Sequence, residues 1–315
     1  MSDKPDLGAL FGAVDASIFL GLEACNSLAE LDASSAFLGV PGATPYGSVG
    51  AYCRNAPAAL RNSAAVLTAN VDRYNFDLAG PTFPENAKRA VDCGDLPFDE
   101  IDFAKNRAVI KSAVEQIVKQ DAVPIVVGSD DSVPIPMPQA LAGTGQKHTI
   151  LQIDAHIDWR TSHMDEDMGL SSTMRRASEM AHIQRIVQVG ARGIGSAHVQ
   201  DYEDAVSWGA HFVPAQDLHR EGVQAALDLI PKGDDIIICL DVGALDPSII
   251  PGVIGRAPGG LSYYQTFDLI KGAAARGRIA AVDVVEFMPE VDVDGLGALV
   301  VSGLILCAMR ILARQ

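Results

Sequence analysis

The sequence predicts an α/β protein built on a parallel sheet that helices cover on both faces. Short, almost continuously apolar runs rich in β-branched residues recur along the chain, and such runs are typical of strands buried on both faces. Segments with the apolar spacing of amphipathic helices lie between them. Because strand and helix alternate, we expect a parallel sheet with helices on each side.

The predicted elements follow one another in a regular order. The predicted strands are residues 35–40, 123–127, 149–153, 185–189, 235–240 and 279–285. The predicted helices are residues 104–119, 196–208, 219–230, 263–275 and 295–312. Residues 41–100 are richer in Gly, Pro and Asn and predict long loops over the functional edge of the sheet. Because no linker divides the chain, we expect one domain over residues 1–315, with residues 1–34 as an amino-terminal extension.

Composition and charge narrow the range of partners. The chain has 315 residues, and its 48% hydrophobic content is ample for a large core. A formal net charge of -16 disfavours nucleic acid and anionic membranes and favours small cationic ligands. No apolar stretch approaches the ~20 residues that span a bilayer, and the first residues lack the features of a secretion signal, so we expect a cytoplasmic protein. The five cysteines are scattered and predict neither a disulfide framework nor a thiolate metal site.

Acidic and histidine side chains follow two of the predicted strands. Asp154, His156 and Asp158 come at the end of the third predicted strand, and Asp241 directly follows the fifth. In open α/β sheets, sites form outside the carboxyl ends of the strands, so we expect these side chains to converge. Carboxylates and imidazole are ligands of divalent cations, and such ions can activate water for hydrolysis. The sequence therefore predicts a metal site at this edge.

Six ordered segments of the chain resemble the ureohydrolase family, which includes arginases, agmatinases and related guanidino hydrolases. The similarity runs from about residue 36 to 312. The segments that carry it are residues 39–41 with 55–61, 91–95, 188–192, 240–247 with 251–252, 258–261 and 284–289. Their order and spacing are similar to those of the family.

The resemblance implies a fold, a cofactor and a reaction. The implied fold is a three-layer α/β/α sandwich with a mostly parallel sheet of about eight strands, assembled as a trimer or hexamer. The implied cofactor is manganese, or nickel in some members, and the implied reaction is hydrolysis of a carbon–nitrogen bond of a guanidine. In that chemistry, metal ions activate water and a proton shuttle protonates the leaving nitrogen. Glu286 matches the residue with which the family binds the guanidinium group.

Three positions depart from the family pattern. Asp131 stands where the family has a metal-binding His, Gly243 where it has a second Asp ligand of the loop, and Leu170 where it has the His of the proton shuttle. The sequence therefore predicts a degenerate centre, to which it assigns no catalytic residue. The metal ligands that remain as candidates are Asp131, Asp154, His156, Asp158 and Asp241.

The metal content of such a centre is left open by the sequence. A hard ion such as Mn²⁺ or Mg²⁺ can bind at an all-oxygen site made of Asp131, Asp154, Asp158 and Asp241. A second ion would be short of ligands. Without metal, the neighbouring carboxylates must take up protons or recruit a cation such as Arg160 or Arg175.

These departures lead to a hypothesis about function. We expect this chain to be the supporting subunit of a hetero-oligomeric hydrolase, paired with a related ureohydrolase chain whose metal site is intact. The arrangement resembles that of nickel-dependent metformin hydrolases, two-subunit enzymes that cleave a biguanide into guanylurea and dimethylamine. Two alternatives stay open: a self-sufficient, agmatinase-like hydrolase of guanidines or amidines, and a non-catalytic guanidinium-binding protein.

Overall fold

The fold is organised around a sheet of nine parallel strands. The computed structural model describes residues 17–83, 85, 88–195 and 197–315. Its strands are β1 (Glu23–Ala24), β2 (Ser35–Gly39), β3 (Tyr74–Asn75), β4 (Gly80–Pro81), β5 (Val91–Asp95), β6 (Val123–Val127), β7 (His148–Ile153), β8 (Ile183–Val189), β9 (His211–Val213), β10 (Asp235–Asp241) and β11 (Arg278–Val285). The order across the main sheet is β1-β5-β2-β6-β11-β10-β7-β8-β9, and β3 pairs with β4 in a separate antiparallel hairpin.

Helices cover both faces of this sheet. They are α1 (Ala56–Thr68), α2 (Phe103–Lys119), α3 (Pro136–Leu141), α4 (Thr173–Ser178), α5 (Val199–Trp208), α6 (Ala215–Glu221), α7 (Gln224–Leu227), α8 (Tyr263–Arg276) and α9 (Leu296–Leu312). Apolar residues of α1 and α6 to α9 belong to one buried core, and those of α3, α4 and α5 belong to a second. Helix α2 contributes to the second core and to a smaller third core near β1.

Side chains along the central strands alternate between these two cores. In β10, Ile236, Ile238 and Leu240 belong to the first core, whereas Ile237 and Cys239 belong to the second. This two-residue alternation with both faces buried explains why the strand is apolar almost throughout. The prediction of a three-layer α/β/α sandwich with a mostly parallel sheet is confirmed, with nine strands rather than about eight.

Two predictions of local structure were wrong. The helix expected at residues 219–230 is split into α6 and α7, because the chain turns at Gly222, whose φ of 81° is left-handed. Residues 41–100 are not only loops, since they contain α1 and β5. Within α1, Leu60 and Ala64 are buried at helical spacing, so an apolar face outweighs the loop-like composition of the region. Ser196, the first residue of another predicted helix, lies outside the described residues.

The amino-terminal part of the described chain packs onto the sheet. Phe19 is fully buried and stacks on Phe37 with ring centroids 4.8 Å apart, and β1 extends the sheet beyond β5. The division into a single domain and an extension at residues 1–34 stays a prediction, since residues 1–16 lie outside the described residues. Among the helices described, none combines the length and apolar character that a membrane crossing requires.

Candidate metal centre

Buried acidic side chains gather where four central strands end. The strands β6, β11, β10 and β7 are neighbours in the sheet. The site residues at or just beyond their carboxyl ends are Asp131, Glu286, Asp241, Asp154 and Asp158, and none is more than 6% exposed. The structure therefore brings the predicted acidic residues together, as the parallel topology requires.

Two overlapping groups of three side chains have the geometry of metal ligands. Asp131, Asp154 and Asp158 form one group, and Asp154, His156 and Asp241 form the other, with ligand atoms in each group within 4.8 Å of one another. Asp154 is common to both, which suits a carboxylate that bridges two ions. The first group offers only oxygen and fits a hard ion such as Mn²⁺, while the second adds an imidazole and fits manganese or nickel. The residues present thus fit divalent ions, with three side chains for each.

Several hydrogen bonds hold the carboxylates of the first group. The side-chain amide of Gln152 donates to Oδ2 of Asp154 at 2.9 Å and to Oδ2 of Asp158 at 2.7 Å. The hydroxyl of Thr173 donates to Oδ2 of Asp131 at 3.1 Å. These donors fix the direction of the carboxylates and compensate part of their buried charge.

Glu286 is held by two donors on one oxygen. The hydroxyl of Tyr52 lies 2.5 Å from Oε1 of Glu286, and the backbone N–H of Asp131 donates to the same atom at 2.9 Å. Glu286, Asp158 and Ser129 have left-handed backbones, with φ of 69°, 45° and 69°. Non-glycine residues rarely adopt this conformation because it costs free energy. Residues strained in this way are concentrated at functional sites. Three of the nine described non-glycine residues with this conformation lie at the site, which indicates a site under functional constraint.

The acidic groups strongly influence one another's protonation. Burial, and then the charge of Asp154, raises the pKa of Asp131, Asp158 and Asp241 well above the ordinary value. Burial acts in the same direction on Asp154, yet hydrogen bonds, with that of His156 foremost, hold its pKa below the ordinary value. Nδ1 of His156 lies 3.4 Å from Oδ1 of Asp154. The hydrogen bond to Asp154 raises the pKa of His156, so this pair favours a charged imidazole beside a charged carboxylate, whereas burial favours the protonated form of the other carboxyl groups.

Two of the positions that depart from the family pattern also face this site. Leu170 and Gly243 line a cavity of about 80 Å³ together with Asp131, His156 and Glu286. Leu170 offers neither a proton nor a ligand. At Gly243 the backbone N–H donates to Oδ1 of Asp241 at 2.5 Å, and a Cβ placed there would lie 2.9 Å from that oxygen. A side chain at position 243 therefore requires a shift at the end of the Asp241 side chain.

The structure does not support Arg175 as the cation that compensates the cluster. Its guanidinium forms ion pairs with Asp204 at 3.0 Å and with Glu179 at 3.6 Å, on the helix α4 side of the molecule. Nη1 of Arg160 lies 2.8 Å from Nδ1 of His163. The contact of His156 with Asp154 does reach the cluster, because the ring lies beside the carboxylate two residues before it.

Sequence reasoning assigned no individual role to four further residues at or beside the site. Gln152 lies two residues before Asp154 in an apolar strand, and Asp283 lies three before Glu286, so a lone polar residue in a buried strand was the available signal. Arg192 holds the loop after β10 by donating to the carbonyl oxygens of residues 243, 244 and 257 at 2.8 to 2.9 Å. Tyr52 comes from the region expected to form loops, where no pattern marked it.

A second cavity adjoins the first at His156. It has a volume of about 320 Å³, and its wall is formed by residues 155–157, 191–193, 195, 197–199 and 202. The imidazole of His156 belongs to both walls.

The parallel three-layer fold and the acidic centre define a class of metal-dependent hydrolase folds. A comparison with family models matches residues 33–310 to the arginase family. The chain belongs to this family.

Individual relatives are similar over nearly the whole chain. Guanidinobutyrase from Pseudomonas aeruginosa is 24% identical over 315 residues, covering 97% of this chain and 95% of the relative. Formimidoylglutamase from Bacillus subtilis has a TM-score of 0.81 at 21% identity, covering 99% of this chain and 94% of that structure. Formiminoglutamase from Trypanosoma cruzi, solved with Mn²⁺, has a TM-score of 0.77 at 20% identity, covering 99% and 100%. At these identities the solved structures show the shared fold.

Proposed function

We propose that the chain is the supporting subunit of a hetero-oligomeric hydrolase that cleaves a carbon–nitrogen bond of a guanidine or biguanide, as metformin hydrolases do. The observation that carries this proposal is the wall of the 80 Å³ cavity, where Leu170 and Gly243 supply neither a proton nor a ligand. A related chain with an intact metal site would carry out the reaction. The assembly would be a cytoplasmic trimer or hexamer.

The chemistry of the cavity supports a cationic substrate. Glu286 is buried beside the acidic cluster, and a buried carboxylate binds a guanidinium through charge-assisted hydrogen bonds. Tyr52 and the N–H of Asp131 hold one oxygen of Glu286 and so fix its direction. The relatives named above act on guanidino and formimino compounds by their names, which agrees with a small cationic substrate.

The residues that would hold metal are the two groups described above. Asp131, Asp154 and Asp158 would hold one ion, and Asp154, His156 and Asp241 would hold another, either manganese, as in the Trypanosoma cruzi structure, or nickel. A bound divalent ion polarises a water ligand and lowers its pKa. The leaving nitrogen must also be protonated as it departs, and the side chain of Leu170 cannot do this. The chain thus retains a place for ions and substrate but lacks a proton donor at this position.

Separation and reconstitution test the supporting role. The native complex would be purified, its chains identified, and hydrolysis of a guanidine and a biguanide measured before separation, for each chain alone, and after remixing. We expect turnover to disappear when the chains are separated and to return on remixing, with the isolated chain still folded by circular dichroism. Turnover by the isolated chain at the rate of the complex would contradict the proposal.

A matched test restores the family's residues at the three positions that depart from the family pattern. The triple variant D131H, G243D and L170H should bind more metal per chain than the wild type and give the isolated chain measurable hydrolysis. The same variant with D158N added serves as the control and should lose the added metal and the added activity. If the triple variant gained metal but hydrolysed nothing, the loss of these three side chains would not account for the supporting role.

A self-sufficient hydrolase similar to agmatinase is the second candidate. It is favoured by the two ligand groups, which keep the geometry of a metal centre in spite of the departures. About one ion per isolated chain together with turnover of a guanidino compound would support it against the first candidate. Calorimetric binding of guanidinium without metal and without turnover would instead indicate a non-catalytic guanidinium-binding protein.

A further inference from the structure

Two cysteines that are distant in sequence meet at one edge of the main sheet. Cys25 directly follows β1, and Cys93 lies within β5, the strand that pairs with β1 in parallel. The backbone N–H of Cys25 donates to the carbonyl oxygen of Asp92 at 2.8 Å, which continues the ladder and sets Cys25 opposite Cys93. The Cys25 thiol donates to the carbonyl oxygen of Ser27 at 3.4 Å. The sequence spacing, without a C-x-x-C pattern, gave no sign of this pair.

The position of the pair is compatible with a disulfide. Neighbouring strands lie about 4.8 Å apart, and the Cα atoms of disulfide-bonded cysteines are usually about 4.4 to 6.8 Å apart. A disulfide also needs a specific dihedral angle, so the strands must be able to adjust. Strand β1 has two residues and stands at the end of the strand order, so within the described part of the chain it pairs with β5 alone.

Cys25 is accessible through a cavity on the surface. This cavity has a volume of about 400 Å³, and Cys25 forms part of its wall together with Glu23, Glu30 and Asp32. Asp32 is paired with Lys88 at 2.8 Å, so Glu23 and Glu30 carry the negative charge that repels anions and leaves a small neutral molecule unaffected. The cavity therefore favours a neutral oxidant over an anionic one such as glutathione disulfide.

We propose that Cys25 and Cys93 form a peroxide-reactive dithiol site, at which a neutral hydroperoxide oxidises the pair to a disulfide. The Cys25 thiolate attacks hydrogen peroxide, giving a sulfenic acid and hydroxide. The sulfur of Cys93 then attacks the sulfenic sulfur, and a disulfide and water form as Cys93 gives up its proton. In balance, two thiols and one hydrogen peroxide give one disulfide and two waters.

The order of these steps follows from the surroundings of each thiol. Cys25 lines the open cavity, so the oxidant reaches it first. Burial, followed by the presence of Cys25, raises the pKa of the Cys93 thiol, which keeps Cys93 protonated until it attacks. The other cysteines of the chain, Cys53, Cys239 and Cys307, are buried.

The disulfide would fasten the edge of the sheet. It would close the chain between positions 25 and 93, a segment that includes α1 and the loop carrying Tyr52. A cross-link over a long segment limits the freedom of the unfolded chain and so stabilises the folded state. We expect the oxidised protein to melt roughly 5–10 °C above the reduced protein.

Peptide mapping of the full chain tests the site. The reduced, folded protein would be treated with a small excess of hydrogen peroxide, blocked with iodoacetamide and digested without reductant. We expect a peptide pair joined through Cys25 and Cys93 as the main product, and in the C93S variant we expect dimedone to label Cys25. The C307S variant is the matched control and should form the same cross-link as the wild type.

Two outcomes would overturn the proposal. One is oxidation of the folded wild type without the joined peptide. The other is a reversed order, in which dimedone labels Cys93 in C25S and leaves Cys25 unlabelled in C93S. A second measurement uses glutathione disulfide as the oxidant. It should oxidise the pair at least several-fold more slowly than hydrogen peroxide does at equal concentration. An equal or faster reaction would overturn the selectivity for a neutral oxidant.

Discussion

Two groups of acidic side chains in the same sheet, one on β5 and one at the candidate metal centre, differ in how their charge is compensated. At β5, the guanidinium of Arg61 lies 2.8 and 2.9 Å from the two oxygens of Asp92 and 2.6 Å from Oδ1 of Asp95. The backbone N–H groups of Phe19 and Gly94 also donate to Asp92. This group holds a bidentate, fully hydrogen-bonded ion pair within the chain.

The candidate metal centre carries more acid and less counter-charge. Its buried carboxyl groups are Asp130, Asp131, Asp154, Asp158, Asp241, Asp283 and Glu286. Nδ1 of His156 is 3.4 Å from Oδ1 of Asp154, and Asp283 has only weak polar contacts, with the thiol of Cys239 and the backbone of Leu240. The comparison indicates that Arg61 compensates the first group within the chain, whereas the second group has an excess of carboxyl groups that bound cations or protons would compensate.

Among the changes considered, removing Arg61 should cause the largest loss of folding stability. The R61M variant keeps much of the side-chain volume but leaves Asp92 buried without its cation, so we expect a loss of about 3–5 kcal/mol in the free energy of unfolding. Denaturant titration of the protein measures this loss. The control is K88A, which breaks the exposed pair of Lys88 with Asp32 and should leave the midpoint unchanged. A loss as small as that of K88A would show that the two groups do not differ as described.

Neutralising Asp283 should have the opposite effect, and its size should depend on pH. Burial raises the folded-state pKa of Asp283 from 3.8 to about 7. A carboxyl with a raised pKa weighs against folding once the pH exceeds its unfolded value, and this cost is complete above the folded pKa. In metal-free protein, the free energy of unfolding of D283N should therefore match that of the wild type near about pH 4. Near about pH 8 it should exceed that of the wild type by about 2–4 kcal/mol.

A second acidic variant separates charge from packing in this experiment. Asp204 is paired with Arg175 on the surface, so D204N should follow the pH dependence of the wild type. Unfolding would be followed by circular dichroism at each pH. A gain for D283N that is equal at both pH values would show that packing, and not the buried charge, sets the effect.

The sequence predicted the sheet and the acidic cluster because both follow from local patterns. Apolar runs mark buried strands, and Asp154, His156 and Asp158 share one strand end, so parallel topology alone brings them toward Asp241. The compensation of charge could not be predicted in this way. Arg61 and Asp92 are 31 positions apart, and Arg175 pairs with Asp204 instead of the cluster. Such contacts depend on helix packing, which no short pattern encodes.

Added metal should stabilise the second group and leave the first unaffected. At a free Mn²⁺ concentration about a hundred times the dissociation constant, binding to the folded state adds about 2.7 kcal/mol. We expect D158N to lose most of this gain, because Asp158 belongs to the all-oxygen ligand group. Thermal unfolding with and without Mn²⁺ measures the gain, and D204N should keep it. An equal gain in D158N would place the ion elsewhere in the protein.

Removing one hydrogen-bond donor from Glu286 should cause the smallest loss of folding stability. In Y52F the hydroxyl that lies 2.5 Å from Oε1 of Glu286 is lost, while the N–H of Asp131 still donates to that oxygen. Because one donor remains, we expect a loss of about 1 kcal/mol in the free energy of unfolding, well below that of R61M. The matched control is Y264F, whose exposed hydroxyl donates to Asp77 and should matter little. If Y52F cost as much as R61M, Glu286 would depend on Tyr52 as fully as Asp92 depends on Arg61, and the two groups would be alike in this respect.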